Sequence, residues 1–164
     1  MKIVEITCRL EEYDSEKELS PDDQRLIEEA KHGMNAAYAP YSHFHVGAAV
    51  LLDNGTIIRG NNQENASYPV GLCAERVAIF SAGANNPNVA IRSLAVIASS
   101  DQFKMDRPVP PCGACRQAIA EYEHRYNKKI RMIMSGETGK VIVADSIESL
   151  LPYQFNADDL KKKK

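Results

Sequence analysis

Three of the four cysteines stand at the starts of two helical segments, and this placement restricts how the chain can fold. Cys73 opens the segment Cys73–Arg76, and Cys112 and Cys115 are spaced as Cys-x-x-Cys directly after Pro111. Each segment leads from a loop into an amphipathic helix, and a strand between the two helices returns the chain across a sheet. Both helix N-termini can then lie on the same side of the sheet, where we expect the three thiols to converge.

The hydrophobic pattern predicts an α/β domain with the element order α-β-β-α-β-α-β-β. Ser20 and Pro21 are typical of an N-cap and a first helical position, and Asp53–Gly55 of a hairpin turn. The predicted helices cover 21–38, 72–83 and 113–126, and the predicted strands cover 46–52, 56–60, 94–98, 130–134 and 141–144, followed by one helical turn at 146–150. We therefore expect a three-layer domain: a five-stranded mixed β-sheet with helices on both faces. The last two strands should be antiparallel, because the turn at 136–139 has hairpin length.

The length of 164 residues suits one compact domain. We predict an N-terminal extension over 1–19, a domain over 20–160 and a basic tail over 161–164. The extension contains a short alternating stretch at Ile3–Ile6 and is either an appendage or an edge strand. The lysine tail is typical of a solvated terminus.

Charge and hydropathy exclude several classes of partner. The formal net charge is -2, which does not favour a broad nucleic-acid interface, so no nucleic-acid partner is expected. No apolar run is long enough to span a membrane, and charged residues interrupt the start of the chain where a signal peptide would be apolar. We therefore predict a cytoplasmic protein with no membrane partner, in which cysteines indicate a metal or catalysis rather than disulfides.

Three thiolates would hold one Zn²⁺ per subunit and leave a fourth position for water, the pattern of a catalytic zinc site. Glu75 lies two residues after Cys73, so its carboxylate can face the open position without binding the metal. By its match to the parts of zinc-dependent base deaminases, the chemistry expected here is attack of zinc-hydroxide on C4 of a cytosine. Glu75 would act as the proton shuttle between the water, ring nitrogen N3 and the departing amine. Three cysteines, a non-ligating glutamate and a Pro-Cys-x-x-Cys segment match the parts of zinc-dependent base deaminases.

Thiolate ligands donate charge to zinc and reduce the acidity of its water, so a nearby positive charge is expected. Arg76 and Arg116 both follow a ligand closely, and we favour Arg76 as the charge-compensating residue. Taken singly, the Cys-x-x-Cys pair also fits a redox pair or half of a structural zinc site. A closed structural site would need Cys8 or a histidine, and neither has ligand spacing to the other cysteines.

The ordered motifs resemble the cytidine deaminase family, in its small three-cysteine, free-nucleoside form, from about Leu26 to Leu160. They are Tyr38–Ser42, Phe44–Ala48, Glu64–Tyr68, Cys73–Arg76, Pro111–Gln117, Leu150–Pro152 and Phe155. The resemblance implies a cytidine deaminase-like fold, zinc on Cys73, Cys112 and Cys115, and Glu75 as proton shuttle.

The resemblance also implies substrate contacts. Phe44 would pack on the pyrimidine, the backbone of Ala74 would contact the base, and Asn62 and Glu64 would hold the ribose hydroxyls. Without the resemblance, Phe44 would be interpreted as a core residue, Asn62 as a turn residue and Glu64 as a solvated charge. Members of this family form homotetramers with shared sites, and the corresponding residues that could reach a neighbour's site are Ala66, Tyr68 and Phe155.

The predicted function is zinc-dependent hydrolytic deamination of cytidine and deoxycytidine to uridine and deoxyuridine plus ammonia, as in pyrimidine salvage. The alternatives are a deaminase of a modified nucleoside such as blasticidin S, and a non-catalytic structural zinc or scaffold protein. A nucleic-acid deaminase is disfavoured by the lack of a basic stripe and by the antiparallel last two strands. The loop at 99–110 either borders the pocket or is a surface insertion.

Overall fold

The computed structural model of the protein describes residues 1–160, and its centre is a mixed sheet with the strand order β1-β6-β5-β4-β2-β3. The strands are β1 Glu11–Tyr13, β2 Phe44–Leu52, β3 Ile57–Asn61, β4 Ile91–Ser100, β5 Arg131–Ser135 and β6 Val141–Ala144. The α-helices are α1 Pro21–Met34, α2 Ala74–Asn85 and α3 Gly113–Tyr126. The predicted basic tail at 161–164 lies outside the described residues.

The sheet is covered on both faces, because alternate residues of its central strands enter two separate cores. Val50 and Val96 belong to the cluster that includes side chains of α2 and α3. Ala49 and Ala95, each one residue away along the same strands, belong to the cluster that includes side chains of α1. The chain thus forms three layers, with α1 on one side of the sheet and α2 and α3 on the other.

The prediction of five strands is wrong, since residues 11–13 add a sixth. β1 pairs antiparallel with β6, with Glu11 opposite Val143 and Tyr13 opposite Val141. Tyr13 packs against the cluster on the α1 side. A strand of three residues with two glutamates has too little alternation to be found by pattern. Of the two possibilities for the N-terminal extension, it contributes an edge strand, at 11–13, while its alternating stretch at 3–6 forms no strand.

The helices follow their local signals except where tertiary contacts intervene. The Ser20 side chain caps α1 by accepting a hydrogen bond from the Asp23 amide at 3.2 Å, as predicted. α1 ends at Met34 rather than at about Tyr38, because the Tyr38 amide donates instead to the Asn62 carbonyl at 3.0 Å.

Among residues 1–160 no helix has the length and apolar character needed to cross a bilayer. The last two strands, β5 and β6, are antiparallel, as the hairpin-length turn predicted.

Two glycines let helices approach the sheet at backbone distance. A Cβ atom on Gly47 would lie 2.0 Å from the Ala30 carbonyl oxygen of α1. A Cβ atom on Gly60 would lie 2.4 Å from the Ala74 carbonyl oxygen in the first turn of α2. Any side chain at Gly60 would displace the start of α2, where Cys73 is the N-cap residue.

A buried carboxylate joins the end of α3 to the last part of the chain. Glu123 accepts hydrogen bonds from the Ile130 amide at 2.7 Å, the Ser146 hydroxyl at 2.9 Å and the Ile147 amide at 3.0 Å. These three donors come from the start of the β5 segment and from the short 3-10 turn after β6. Glu123 therefore holds α3 against both segments.

We expect Glu123→Ala to lower the free energy of unfolding by about 2–4 kcal/mol, because three buried donors would lose their acceptor. Glu121→Ala, at an exposed position of the same helix, should change it by less than about 0.5 kcal/mol. Urea unfolding of both variants measures the difference. Equal stability of the two variants would contradict the proposed role of Glu123.

Candidate metal centre and active site

Strand register brings the site elements to one end of the sheet. Phe44, the first residue of β2, lies opposite Ser100, the last residue of β4. Asn61, the last residue of β3, lies opposite Gly47 near the same end. α2 follows β3 and α3 follows β4, so both helices begin near this end of the sheet. Residues that are far apart in sequence thereby surround one space.

The three predicted thiols converge at the N-termini of these helices. Cys73 is the N-cap of α2, Cys112 is the N-cap of α3, and Cys115 lies in the first turn of α3. The Sγ atoms of Cys73 and Cys112 are 3.8 Å apart, and those of Cys112 and Cys115 are 3.5 Å apart. Within residues 1–160 these cysteines form the one group of three or more potential metal-binding side chains.

The sulfur spacing fits a tetrahedral zinc ion. With Zn–S bonds of about 2.3 Å, two ligands of a tetrahedral site stand about 3.8 Å apart. All three sulfurs lie within 4.8 Å of one another, so small side-chain rotations would bring each to bonding distance. Three sulfur donors suit zinc and leave its fourth position open.

The environment of Cys73 favours its thiolate. A hydrogen bond from the Cys115 thiol, with a further contribution from Arg76, lowers the pKa of Cys73 to about 5, although burial opposes the change. The same hydrogen bond raises the pKa of Cys115. Arg76 Nη2 lies 3.6 Å from Cys73 Sγ, and Arg76 Nε is buried without a partner among residues 1–160. Arg76 is thus the positive charge at the thiol cluster.

Arg116, the second arginine considered from the sequence, has a different contact set. Its Nε donates to the Pro111 carbonyl at 2.8 Å and its Nη1 donates to the Leu150 carbonyl at 2.7 Å. These bonds tie the loop before the Cys-x-x-Cys pair to the segment after β6. Arg116 therefore braces the backbone that carries Cys112.

Glu75 is buried beside the thiols, with 4% of its surface exposed. Burial raises the pKa of its carboxyl, and the neighbouring Cys73 thiolate raises it further. It lines the cavity described next, together with Cys73 and Cys112. A carboxyl group with a raised pKa, placed near but outside the thiol cluster, is suited to accept and release a proton.

A cavity of about 660 Å³ opens over the thiols and Glu75. This volume falls within the range of about 300–1,000 Å³ typical of small-molecule sites. Phe44, Asn62, Glu64 and Tyr68, all named from the sequence, line it. Tyr41, Ser42, Leu72, Val96, Val109 and Pro110 also line it and were not assigned a site role from the sequence.

Asn62 holds the start of β2 with its side chain. Its Oδ1 accepts from the Val46 amide at 2.9 Å, and its Nδ2 donates to the Phe44 carbonyl at 2.8 Å. The second Nδ2 hydrogen and the second lone pair of Oδ1 have no protein partner in these two bonds. The residue thus positions Phe44 and still presents polar atoms to the cavity.

Glu64 lies in a loop closed by two backbone hydrogen bonds between Gln63 and Leu72, at 2.9 and 3.0 Å. Its carboxylate accepts from the Tyr41 amide at 2.9 Å, from the Ser42 amide at 3.2 Å and from the Ser42 hydroxyl. Burial acts in the opposite direction, but these hydrogen bonds lower the pKa of Glu64. The cavity therefore carries a negative charge at the side where Glu64 lies.

The remaining residues named from the sequence are not all at the cavity. Ala74 is fully buried at the first position of α2, where its N–H has no intrahelical acceptor. Tyr68 is exposed and its ring centroid lies 5.9 Å from that of Tyr41. Ala66 and Phe155 are exposed and lie outside the cavity lining. Within this chain these two residues therefore have no contact with the cavity.

The loop at 99–110 borders the cavity, the first of the two possibilities left open by its sequence. Val109 and Pro110 line the cavity, and the Phe103 ring centroid lies 6.5 Å from that of Phe44. The Met105 amide donates to the Glu137 carboxylate at 2.7 Å, which anchors the loop to the turn between β5 and β6. The position of Val109 and Pro110, directly before Pro111 and Cys112, could have indicated from the sequence that these two residues lie at the site.

We expect Arg76→Ala to weaken zinc binding by about 10–100-fold, because the Cys73 thiolate would lose its adjacent positive charge. Arg25→Ala, at an exposed position on α1, should bind zinc like the unaltered protein. Competition with a zinc chelator gives the affinity of each variant. An Arg76→Ala variant that matches Arg25→Ala would show that Arg76 does not stabilise the thiolates.

Known proteins are similar in sequence to this chain over most of its length. The family model described as "Cytidine and deoxycytidylate deaminase zinc-binding region" matches residues 20–130. A cytidine deaminase of Halalkalibacterium halodurans is 42% identical over 139 residues, which is 85% of this chain and 98% of that protein. A Blasticidin-S deaminase of Bacillus cereus is 33% identical over 142 residues, covering 84% of this chain and 94% of that protein.

Solved structures show the same fold. The crystal structure of cytidine deaminase from Burkholderia pseudomallei superposes with a TM-score of 0.71 at 37% identity, covering 84% of this chain and all of that one. The sulfur cluster, the open cavity and the extent of these matches agree with one another. The chain belongs to the family of zinc-binding cytidine and deoxycytidylate deaminases.

Proposed function

We propose that this protein hydrolyses cytidine and deoxycytidine to uridine and deoxyuridine with release of ammonia. The observation that carries the proposal is a three-thiol cluster and a buried carboxyl group at one cavity of nucleoside-compatible size. The matching relative from Halalkalibacterium halodurans is itself a cytidine deaminase.

Cys73, Cys112 and Cys115 would hold the zinc ion. When bound there, Zn²⁺ supplies a water molecule of lowered pKa at its fourth position. Glu75 would take a proton from the attacking water and deliver it to N3 of the base as the C4–O bond forms. It would then take the second proton of that water and deliver it to the amino group as the C4–N4 bond breaks and ammonia leaves.

The base is held by one aromatic face and by backbone groups. The Phe44 ring borders the cavity and packs on the pyrimidine, since a flat base and an aromatic ring bury apolar surface together. Ala74, at the start of α2, offers an amide N–H that the helix does not use and that can bind the carbonyl edge of the base.

The ribose lies at Asn62 and Glu64. A carboxylate has about four acceptor positions, and three donors from Tyr41 and Ser42 leave room for a ribose hydroxyl. The negative charge of Glu64 would repel a phosphate group nearby. We therefore favour a free nucleoside over a nucleotide as substrate.

The assembly we propose is a homotetramer in the cytoplasm. Tyr68 and Val70 near the cavity mouth, and Phe155 in the last segment, expose large apolar surfaces that a subunit interface would cover. In such an assembly Ala66, Tyr68 and Phe155 would contact a neighbouring subunit's substrate. The free state of Cys8, Cys73, Cys112 and Cys115 agrees with a reducing compartment.

A modified nucleoside is the second candidate substrate, because one relative over 84% of this chain is a Blasticidin-S deaminase. Turnover of cytidine, deoxycytidine and blasticidin S under the same conditions separates the candidates. A structural zinc or scaffold protein, the other alternative, predicts no turnover of any of the three.

We expect Glu75→Gln to retain zinc and to lower kcat for cytidine by about 10²–10⁴-fold, because the amide cannot carry a proton. Glu121→Gln is the control for loss of a carboxyl group elsewhere. The measurements are the ultraviolet change from cytosine to uracil and the zinc content. A Glu75→Gln variant with unchanged kcat would exclude Glu75 as the proton shuttle.

We expect Glu64→Gln to raise KM for cytidine about tenfold with a smaller change in kcat, because the carboxylate binds the sugar rather than the reacting atoms. Steady-state kinetics with the Glu121→Gln control measures both constants. A loss confined to kcat would assign Glu64 a role in chemistry instead of binding.

A further inference from the structure

Residues 4–10 have the pattern of a half-buried β-strand. Apolar side chains occupy alternate positions, and polar ones stand between them. The apolar set is Val4, Ile6, Cys8 and Leu10, and the intervening set is Glu5, Thr7 and Arg9. Such alternation predicts a strand with one face covered by other side chains.

Residues 1–160 supply no partner for this pattern. Ile3, Val4, Ile6 and Leu10 are between 47% and 76% exposed. No strand within residues 1–160 pairs with residues 3–10, although they lead directly into β1. Glu11 lies opposite Val143, and β6 ends at Ala144, so residues 3–10 run past the end of the strand that pairs with β1.

We propose that residues 3–11 pair antiparallel with the same residues of a second copy of this chain, about a two-fold axis at Thr7. β1 is the edge strand of the sheet, so the side of β1 that faces away from β6 is free among the described residues. Pairing of residues 3–11, which include the first residue of this edge strand, would join the two sheets at their edges and satisfy backbone groups that no strand pairs with.

The charges select both the partner and the register. With Thr7 opposite Thr7 of the second copy, Glu5 lies opposite Arg9, and by symmetry Arg9 lies opposite Glu5. Lys2 lies opposite Glu12 in the same register. The apolar residues of both strands then share one face, with Val4 opposite Leu10 and Ile6 opposite Cys8.

Other registers lose this agreement. A shift that places Cys8 opposite Cys8 sets Glu5 against Glu11, and one that places Ile6 opposite Ile6 sets Glu5 against Thr7 and so loses the Glu5–Arg9 pair. Registers in between place apolar residues opposite polar ones, because side chains alternate with period two. Opposite charges directly across the pair favour a second copy of this segment as the occupant.

The segment precedes residue 20, where the family match begins. The pairing is therefore separate from the deaminase site, and its test does not use turnover.

Crosslinking at the proposed axis tests the pairing. The zinc-loaded full chain carries Cys8→Ser, and Thr7→Cys is added to this background. Directly opposed residues have Cα atoms about 4.5–5.5 Å apart, within the range that a disulfide spans. Oxidised glutathione is the oxidant: two Cys thiols lose their hydrogens and form the S–S bond, and the oxidant becomes two molecules of glutathione. We expect most of the protein to become a covalent dimer on a non-reducing denaturing gel.

Glu5→Cys and Arg9→Cys in the same background are the matched controls. In the proposed register each lies about 14 Å from its own symmetry mate, so its dimer should form at least about tenfold more slowly than that of Thr7→Cys. The Cys8→Ser chain alone reports any crosslinking through the zinc ligands. Equal rates at the three positions, or no dimer with Thr7→Cys, would overturn the proposal.

Charge exchange tests the register independently. Glu5→Arg in the Thr7→Cys chain sets arginine opposite Arg9 at both ends and should slow crosslinking about tenfold. Adding Arg9→Glu restores opposite charges and should restore the rate. Slow crosslinking that persists in the double variant would overturn the register.

Discussion

Three cysteine sulfurs lie within 4.8 Å of one another, and holding all three as thiolates around a zinc ion would place like charges side by side, so the surrounding structure must offset their repulsion. Two of the sulfurs belong to helix N-caps and the third lies in a first helical turn, where backbone N–H groups give a partial positive charge. Arg76 adds a full charge at 3.6 Å from Cys73. A bound zinc ion would neutralise the remaining negative charge of the thiolates. The close contact of Gly60 with Ala74 determines how close to the sheet α2 begins.

The cavity follows from the same placement of helix starts. Because β2 begins where β3 and β4 end, Phe44 and Asn62 line the same cavity as Cys73 and Cys112, although 29 residues separate Phe44 from Cys73. Asn62 connects the two functions, since its side chain holds the first residues of β2 while it lines the cavity. In the proposed function, base-binding residues on rigid strand ends and zinc ligands on helix ends would keep a fixed geometry between base and metal.

The edge of the sheet at β1, away from the cavity, is held by a different set of contacts. Its strand order ends at β1, whose outer side has no strand beside it among residues 1–160. β1 is held from within by Tyr13, and Glu16 in the following turn accepts bonds from Lys31 at 2.7 Å and Ser135 at 3.2 Å. The segment before β1 therefore starts from a firmly held strand. The edge strand that a second copy would contact is therefore held in place apart from the end of the sheet that borders the cavity.

The sequence alone determined the features that depend on local chemistry. The bounds of α3 and β6 were predicted from capping, proline and turn signals within a few residues of each element, and the three sulfur ligands from their spacing. Long-range contacts decided the rest. The Tyr38–Asn62 hydrogen bond ends α1 early, and pairing with β6 makes a strand of Glu11–Tyr13. The hydrogen bond from Arg116 to the Leu150 carbonyl gives Arg116 a structural role. In each case the deciding partner lies more than 20 residues away, beyond the reach of any local pattern.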